Sequence, residues 1–148
     1  MKIAQYLRKE RKMLIKEFIS ETNKNQMISI LFKHYKVGSV KVKQKSMKDH
    51  AHFNVDTGTL ELSTRYKTLK SSQIKDFLTT MIHEIRHAMD AKKLGWKKFK
   101  LDYEWEMNYQ IGKGKDVYKD NKYEIEAEEF GRDNWKKWHT KFKKDGLI

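Results

Sequence analysis

Residues 74–94 read IKDFLTTMIHEIRHAMDAKKL and are followed by Gly95. Ile74, Leu78, Met81, Ile85 and Met89 recur at helical spacing, while Asp76, Thr80, His83, His87 and Asp90 fall on the other side. That periodicity predicts one long helix from about Ser71 to Leu94, started by Ser71 or Ser72 and stopped by Gly95. Within it, residues 83–87 read His-Glu-Ile-Arg-His, the pattern HExxH. Residues four apart stand one turn apart on the same face. Two imidazoles so placed reach one ion at the ~2.0–2.1 Å that zinc requires. Glu84 lies beside the first histidine but off that ray, which suits a base acting on metal-bound water. The polar face turns both histidines away from the core and into a cleft.

Upstream of this helix the period changes to two. Val40 and Val42 alternate with lysines, Ala51, Phe53 and Val55 with His52 and Asn54, and Leu60 and Leu62 with Glu61. This predicts three strands near 39–43, 51–56 and 59–63, in a largely antiparallel sheet with a hairpin turn at Asp56-Thr57-Gly58. Further upstream, Ile3, Leu7, Leu14 and Phe18 mark a basic amphipathic helix over 2–19. A second helix starts in SETN (20–23), carries Ile28, Leu31, Phe32 and Tyr35 on its apolar face, and ends at Gly38. Downstream, residues 95–121 mix aromatics with charges and show no clear period. A final helix fits 121–144, with Gly131 as a mid-helix weakness of about 1 kcal/mol relative to Ala. Trp135 and Trp138 read as anchors of that helix rather than as base-stacking groups. The whole is read as one α+β domain over 1–148, with 1–38 a basic helical extension packed on it.

A catalytic zinc needs a third protein ligand. The chain has no Cys, so no thiolate, disulfide scaffold or cysteine nucleophile is available. The segment Tyr123-Glu124-Ile125-Glu126-Ala127-Glu128-Glu129-Phe130 supplies a carboxylate. With Tyr123 and Phe130 taken as the inward face, Glu126 is the most embedded acid, and an inward carboxylate is costly unless paired or metal-bound. Glu126 is the preferred ligand, with Glu129, Asp90 and His139 as alternatives. Asp90 is also placed to orient a ligand from behind. Tyr123, Tyr109 or Arg86 is available to stabilise an oxyanion.

The chain carries 33 Lys/Arg against 20 Asp/Glu, a formal charge of +13. Residues 1–48 hold 13 of those bases and three acids. This asymmetry points to an acidic partner, nucleic acid first. A nucleic-acid or acidic-partner binding protein, using residues 1–48 and a structural or inactive metal site, is therefore the alternative function. Gly112-Lys113-Gly114-Lys115 lacks the spacing and hydroxyl of a phosphate-binding loop. No stretch approaches the ~20 apolar residues of a membrane span, and the N-terminus has no apolar signal core, so a cytoplasmic protein without a membrane partner is expected.

Three strands, an HExxH helix and a later helix bearing EIEAEEF (124–130) resemble the minimal gluzincin-type zincin arrangement. The second motif is similar to the glutamate-bearing segment of ImmA/IrrE-like and small phage-type metallopeptidases. The resemblance spans roughly 50–135 in element order, but only 83–90 and 123–131 in motif. Arg86 stands where many ImmA/IrrE-like members have Gly, and no helix-turn-helix is evident. SprT-like proteins fit less well, because no histidine lies between His87 and His139. The resemblance implies a zincin-like fold and hydrolysis of a peptide bond in a protein or peptide substrate. It implies Zn²⁺ held by His83, His87 and Glu126, with Glu84 as general base. The substrate would pair beside strand 59–63, and the compartment would be the host cytoplasm for a phage protein.

Overall fold

A computed structural model describes residues 2–5, 17–38 and 40–148. Of the basic helix expected over 2–19, residues 3–5 and Glu17 are helical, and 6–16 lie outside the described residues. Helix α1 spans Glu21–His34, and its cap Ser20 accepts a hydrogen bond from the Asn23 amide at 3.1 Å. Met27, Leu31 and Phe32 bury its apolar side. Lys24 is also buried, and its amine is fully engaged. Nζ donates to the carbonyls of Tyr66 (3.2 Å) and Lys67 (3.0 Å) and pairs with Glu21 at 3.0 Å.

Strands β1 (Lys41–Lys45), β2 (Ala51–Asn54) and β3 (Thr59–Ser63) form a sheet in the order β1-β3-β2. β2 and β3 form the expected hairpin, with Phe53 opposite Leu60. Asn54 Oδ1 accepts from the amides of Asp56 and Thr57, and Gly58 takes the positive φ of 70° that the turn needs. β1, however, runs parallel to β3, with Val42 opposite Leu60. The sheet is therefore mixed, not mainly antiparallel. The burial of each strand gives the reason. β3 (TLELS) is buried on both faces and takes the centre, while the lysine-alternating β1 is exposed and blunts an edge.

A 3₁₀ turn, Ser71–Gln73, leads into α2, Ile74–Leu94, which stops at Gly95 with φ 90°. The unassigned segment folds as α3, Trp96–Gly112. α4 spans Lys122–Lys144, capped by Asn121 Oδ1 on the Tyr123 amide at 2.9 Å. Tyr123, Ala127, Gly131, Trp138 and Phe142 are its buried stripe. α4 packs along α2, and Gly131 lies directly against it: a Cβ there would lie 2.7 Å from the Thr79 carbonyl oxygen. Trp138 Nε1 donates to Tyr35 Oη at 2.9 Å, tying α4 to the end of α1, and Lys75 lies over the Trp135 ring. Both tryptophans thus anchor the helix. No helix among the described residues is long and apolar enough to cross a membrane.

Candidate metal centre

α2 presents His83 and His87 with ring centroids 5.0 Å apart. Both rings, with Glu84, line a cleft of about 780 Å³ bounded by β2, α2, α3, α4 and the loop before α4. Ligand-capable atoms of His83, Glu84 and His87 lie within 4.8 Å of one another.

The acid that joins the histidines is Glu124, not Glu126. Glu124 Oε2 lies 3.0 Å from His83 Nε2, and Oε1 lies 3.0 Å from His87 Nε2. Glu126 points elsewhere: its carboxylate is half-exposed and faces Arg86 Nη2 at 3.7 Å. The expectation of Glu126 rested on an inward face drawn between Tyr123 and Phe130. The buried stripe runs through Ala127 and Gly131 instead, which rotates Glu124 in and Glu126 out. The other proposed ligands are also placed elsewhere. Glu129 is exposed at the cleft wall, Asp90 faces Arg86 Nε at 3.4 Å, and His139 packs edge-on against Trp135. Asp90 therefore pairs with Arg86 rather than orienting a histidine.

Three site residues carry no signal in the motif reading. Tyr103 Oη donates to Glu124 Oε1 at 2.7 Å. Glu128 Oε2 lies 3.4 Å from His83 Nδ1, on the side of the ring away from Glu124. Tyr118 lines the same cleft. Tyr118 is held by a loop in which Asp116 Oδ1 accepts from the amides of Tyr118 and Lys119, each at 2.8 Å. The tyrosines named from sequence are not available. Tyr123 is buried against Phe99 and Tyr103, and Tyr109 is stacked on Trp105. Arg86 is occupied by Asp90 and Glu126.

The electrostatics follow from this packing. Burial works to raise the Glu124 carboxyl, but hydrogen bonds to His83, His87 and Tyr103 and the His87 charge hold it well below the usual range. Burial pushes Glu84 up, against the lowering effect of His87 and His83. Burial alone would depress His83, yet its bond to Glu124 and the charges of Glu84, Glu124 and Glu128 lift it above 6.5. Burial and the neighbouring Glu124, Asp49 and Glu84 carboxylates raise Tyr118, which keeps its phenol protonated.

Ligand bonds to zinc of ~2.0–2.2 Å in a tetrahedron put neighbouring ligand atoms about 3.3 Å apart. Each imidazole Nε2 lies 3.0 Å from a different oxygen of Glu124, close to that spacing. Two imidazole nitrogens and one carboxylate, converging at an open cleft, fit such an ion.

The strand beside the cleft also differs from expectation. β3 is paired on both edges, so no further chain can add beside 59–63. The outer edge of β2 is unpaired among the described residues, and Ala51, His52 and Phe53 line the cleft. No family model, curated protein or solved structure matches this chain.

Proposed function

We propose that this chain is a zinc-dependent peptidase, with His83, His87 and Glu124 as the metal-holding residues and Glu84 as the general base. The observation that carries the proposal is the placement of one carboxylate on both HExxH imidazoles, at the floor of an open cleft. When bound, zinc supplies Lewis acidity that lowers the pKa of water and polarises a carbonyl. The chain's own residues do the rest. Glu84, whose Oε1 lies 3.9 Å from His83 Nε2, accepts a proton from the attacking water and returns it to the departing amine. Burial raises its proton affinity, as that relay requires. Tyr118, protonated and facing the cleft, donates to the oxygen on which charge develops. Tyr103 and Glu128 hold Glu124 and His83 in place from behind. An extended substrate adds to the free edge of β2, whose backbone groups supply main-chain hydrogen bonds.

Elemental analysis and peptide-library cleavage test this together. Wild type is expected to hold about one zinc per chain and to cleave. Glu84→Gln keeps the metal and loses cleavage, Glu124→Ala loses the metal, and Glu126→Ala keeps both. Retention of zinc by Glu124→Ala with loss in Glu126→Ala would refute the ligand assignment.

A further inference from the structure

On the side of α3 opposite Phe99 and Tyr103, Leu101, Trp105 and Tyr109 follow at four-residue spacing. They stand 65%, 63% and 42% exposed; Ile111, 55% exposed, lies further round the end of the helix. Trp105 and Tyr109 stack with centroids 5.1 Å apart, and Lys113 Nζ lies 4.4 Å from the Tyr109 ring centroid. Between residues 96 and 115 the exposed charged residues are Lys97, Lys98, Lys113 and Lys115, all basic. Of the three acids of this helix, Glu106 is buried against Gln110, Glu104 faces Lys100 at 3.9 Å, and Asp102 is half-buried beside the stripe, so its fully exposed charges are lysines alone.

We infer that this face of α3 rests on an anionic lipid surface. Tryptophan and tyrosine combine an apolar body with a polar tip and settle at the depth of lipid headgroups. Leu101 enters the acyl boundary, while the lysines at both ends of the stripe reach anionic headgroups. The formal charge of +13 adds attraction to a negative surface. The stripe is a single row of three large side chains on one helix. A stable protein interface uses roughly 20–30 residues a side and needs a complementary groove. A bilayer needs neither. The expectation of no membrane partner rested on the lack of a spanning segment, which surface binding does not require. The inference is independent of the peptidase reading, since Phe99 and Tyr103 face the cleft from the other side of the helix.

Sedimentation with vesicles of phosphatidylcholine, alone or mixed with phosphatidylglycerol, tests it on the full chain. Wild type is expected to bind the mixed vesicles at least about tenfold more tightly at low salt. The double variant Leu101→Asn/Trp105→Gln should bind them about tenfold more weakly, at an unchanged melting temperature, and lose the blue shift of tryptophan emission. Three results would overturn the inference. One is no binding by wild type. Another is equal binding by the variant, which reduces the effect to charge. The third is a concentration-dependent dimer dissolved by the variant, which assigns the face to a second copy.

Discussion

Gly131→Ala tests whether the α2–α4 crossing sets the geometry of the metal centre. The added Cβ would lie 2.7 Å from the Thr79 carbonyl oxygen and 3.5 Å from the His83 amide nitrogen. Ordinary contact begins near 3.4 Å, so the two helices must part by about 0.7 Å. Neither side can yield by a rotamer change, because the obstacle is helix backbone. Alanine gains about 1 kcal/mol of helix propensity. Overpacking between two backbones costs about 1–3 kcal/mol. The balance is a net loss of up to about 2 kcal/mol, or a few degrees in Tm for a chain of this length. The larger effect is at the site. A metal centre tolerates about 0.2 Å of error in ligand distance, and Glu124 rides on α4 while both histidines ride on α2. Zinc affinity should fall at least tenfold, which removes about 1.4 kcal/mol of zinc-linked stabilisation at equal zinc. Competition with a chromophoric chelator measures the first quantity, and melting with and without zinc measures the second. Gly112→Ala is the control: nothing lies within 4 Å of a Cβ there, so it should be neutral or stabilising and leave zinc binding intact. If Gly131→Ala melts higher than wild type and binds zinc as tightly, the crossing does not control the site.

Tyr103→Phe keeps the ring packed on Phe99 and Tyr123 but removes the 2.7 Å bond to Glu124. Zinc affinity should drop about 10–100-fold with little change in far-UV circular dichroism, and an unchanged affinity would show the phenol to be idle. Stability of the chelator-treated protein should pass through a maximum between about pH 4.5 and 6.5. Glu124 is lowered, so its contribution is present above 4.5 and lost as pH falls. His83 is raised, so its contribution is present below 6.5 and lost as pH rises through its folded value. Glu84, also raised, adds to the alkaline loss, and Glu84→Gln should flatten that arm of the melting curve. Lys24→Met strands the Tyr66 and Lys67 carbonyls that the amine now satisfies, and should cost about 1–3 kcal/mol in urea denaturation. If residues 1–48 bind nucleic acid as well, fluorescence anisotropy should show DNA affinity falling steeply and log-linearly with salt, and salt-insensitive binding would dismiss that reading.

How much of this was legible in the sequence depends on whether polarity followed packing. α2 has a strong apolar stripe and a polar face, so its extent and both histidines could be read directly. β2 and β3 alternate cleanly and are joined by a turn with a glycine where positive φ is needed, so the hairpin could be read too. The parallel pairing of β1 could not, because alternation reports which face is buried and says nothing about strand direction. α3 was hidden for a different reason. Its inner side holds Glu106 and Gln110, bonded to each other at 2.9 Å, while its outer side exposes Leu101, Trp105 and Tyr109. Polar groups inside and apolar groups outside cancel the periodicity on which the reading depends. Tyr103 disappeared with it.

That Glu124 and not Glu126 meets the two histidines has the most instructive cause. Gly131 was read as a flaw in α4, a residue costing helix stability and returning nothing. Its backbone instead lies against α2, where a Cβ would meet the Thr79 carbonyl and the His83 amide. A glycine in a helix that is otherwise well formed is better read as a point of contact than as a weakness. Taking Gly131 as the centre of the inward face turns the wheel by about a quarter of a circle from a face drawn between Tyr123 and Phe130. Residues 127 and 124 then follow on the same side, one and two turns toward the N-terminus. Glu124 becomes the inward acid, in the first turn where the helix dipole also favours a carboxylate. One close helix crossing therefore accounts for three facts together: a buried glycine, a carboxylate shared by two imidazoles, and an outward Glu126 left to Arg86.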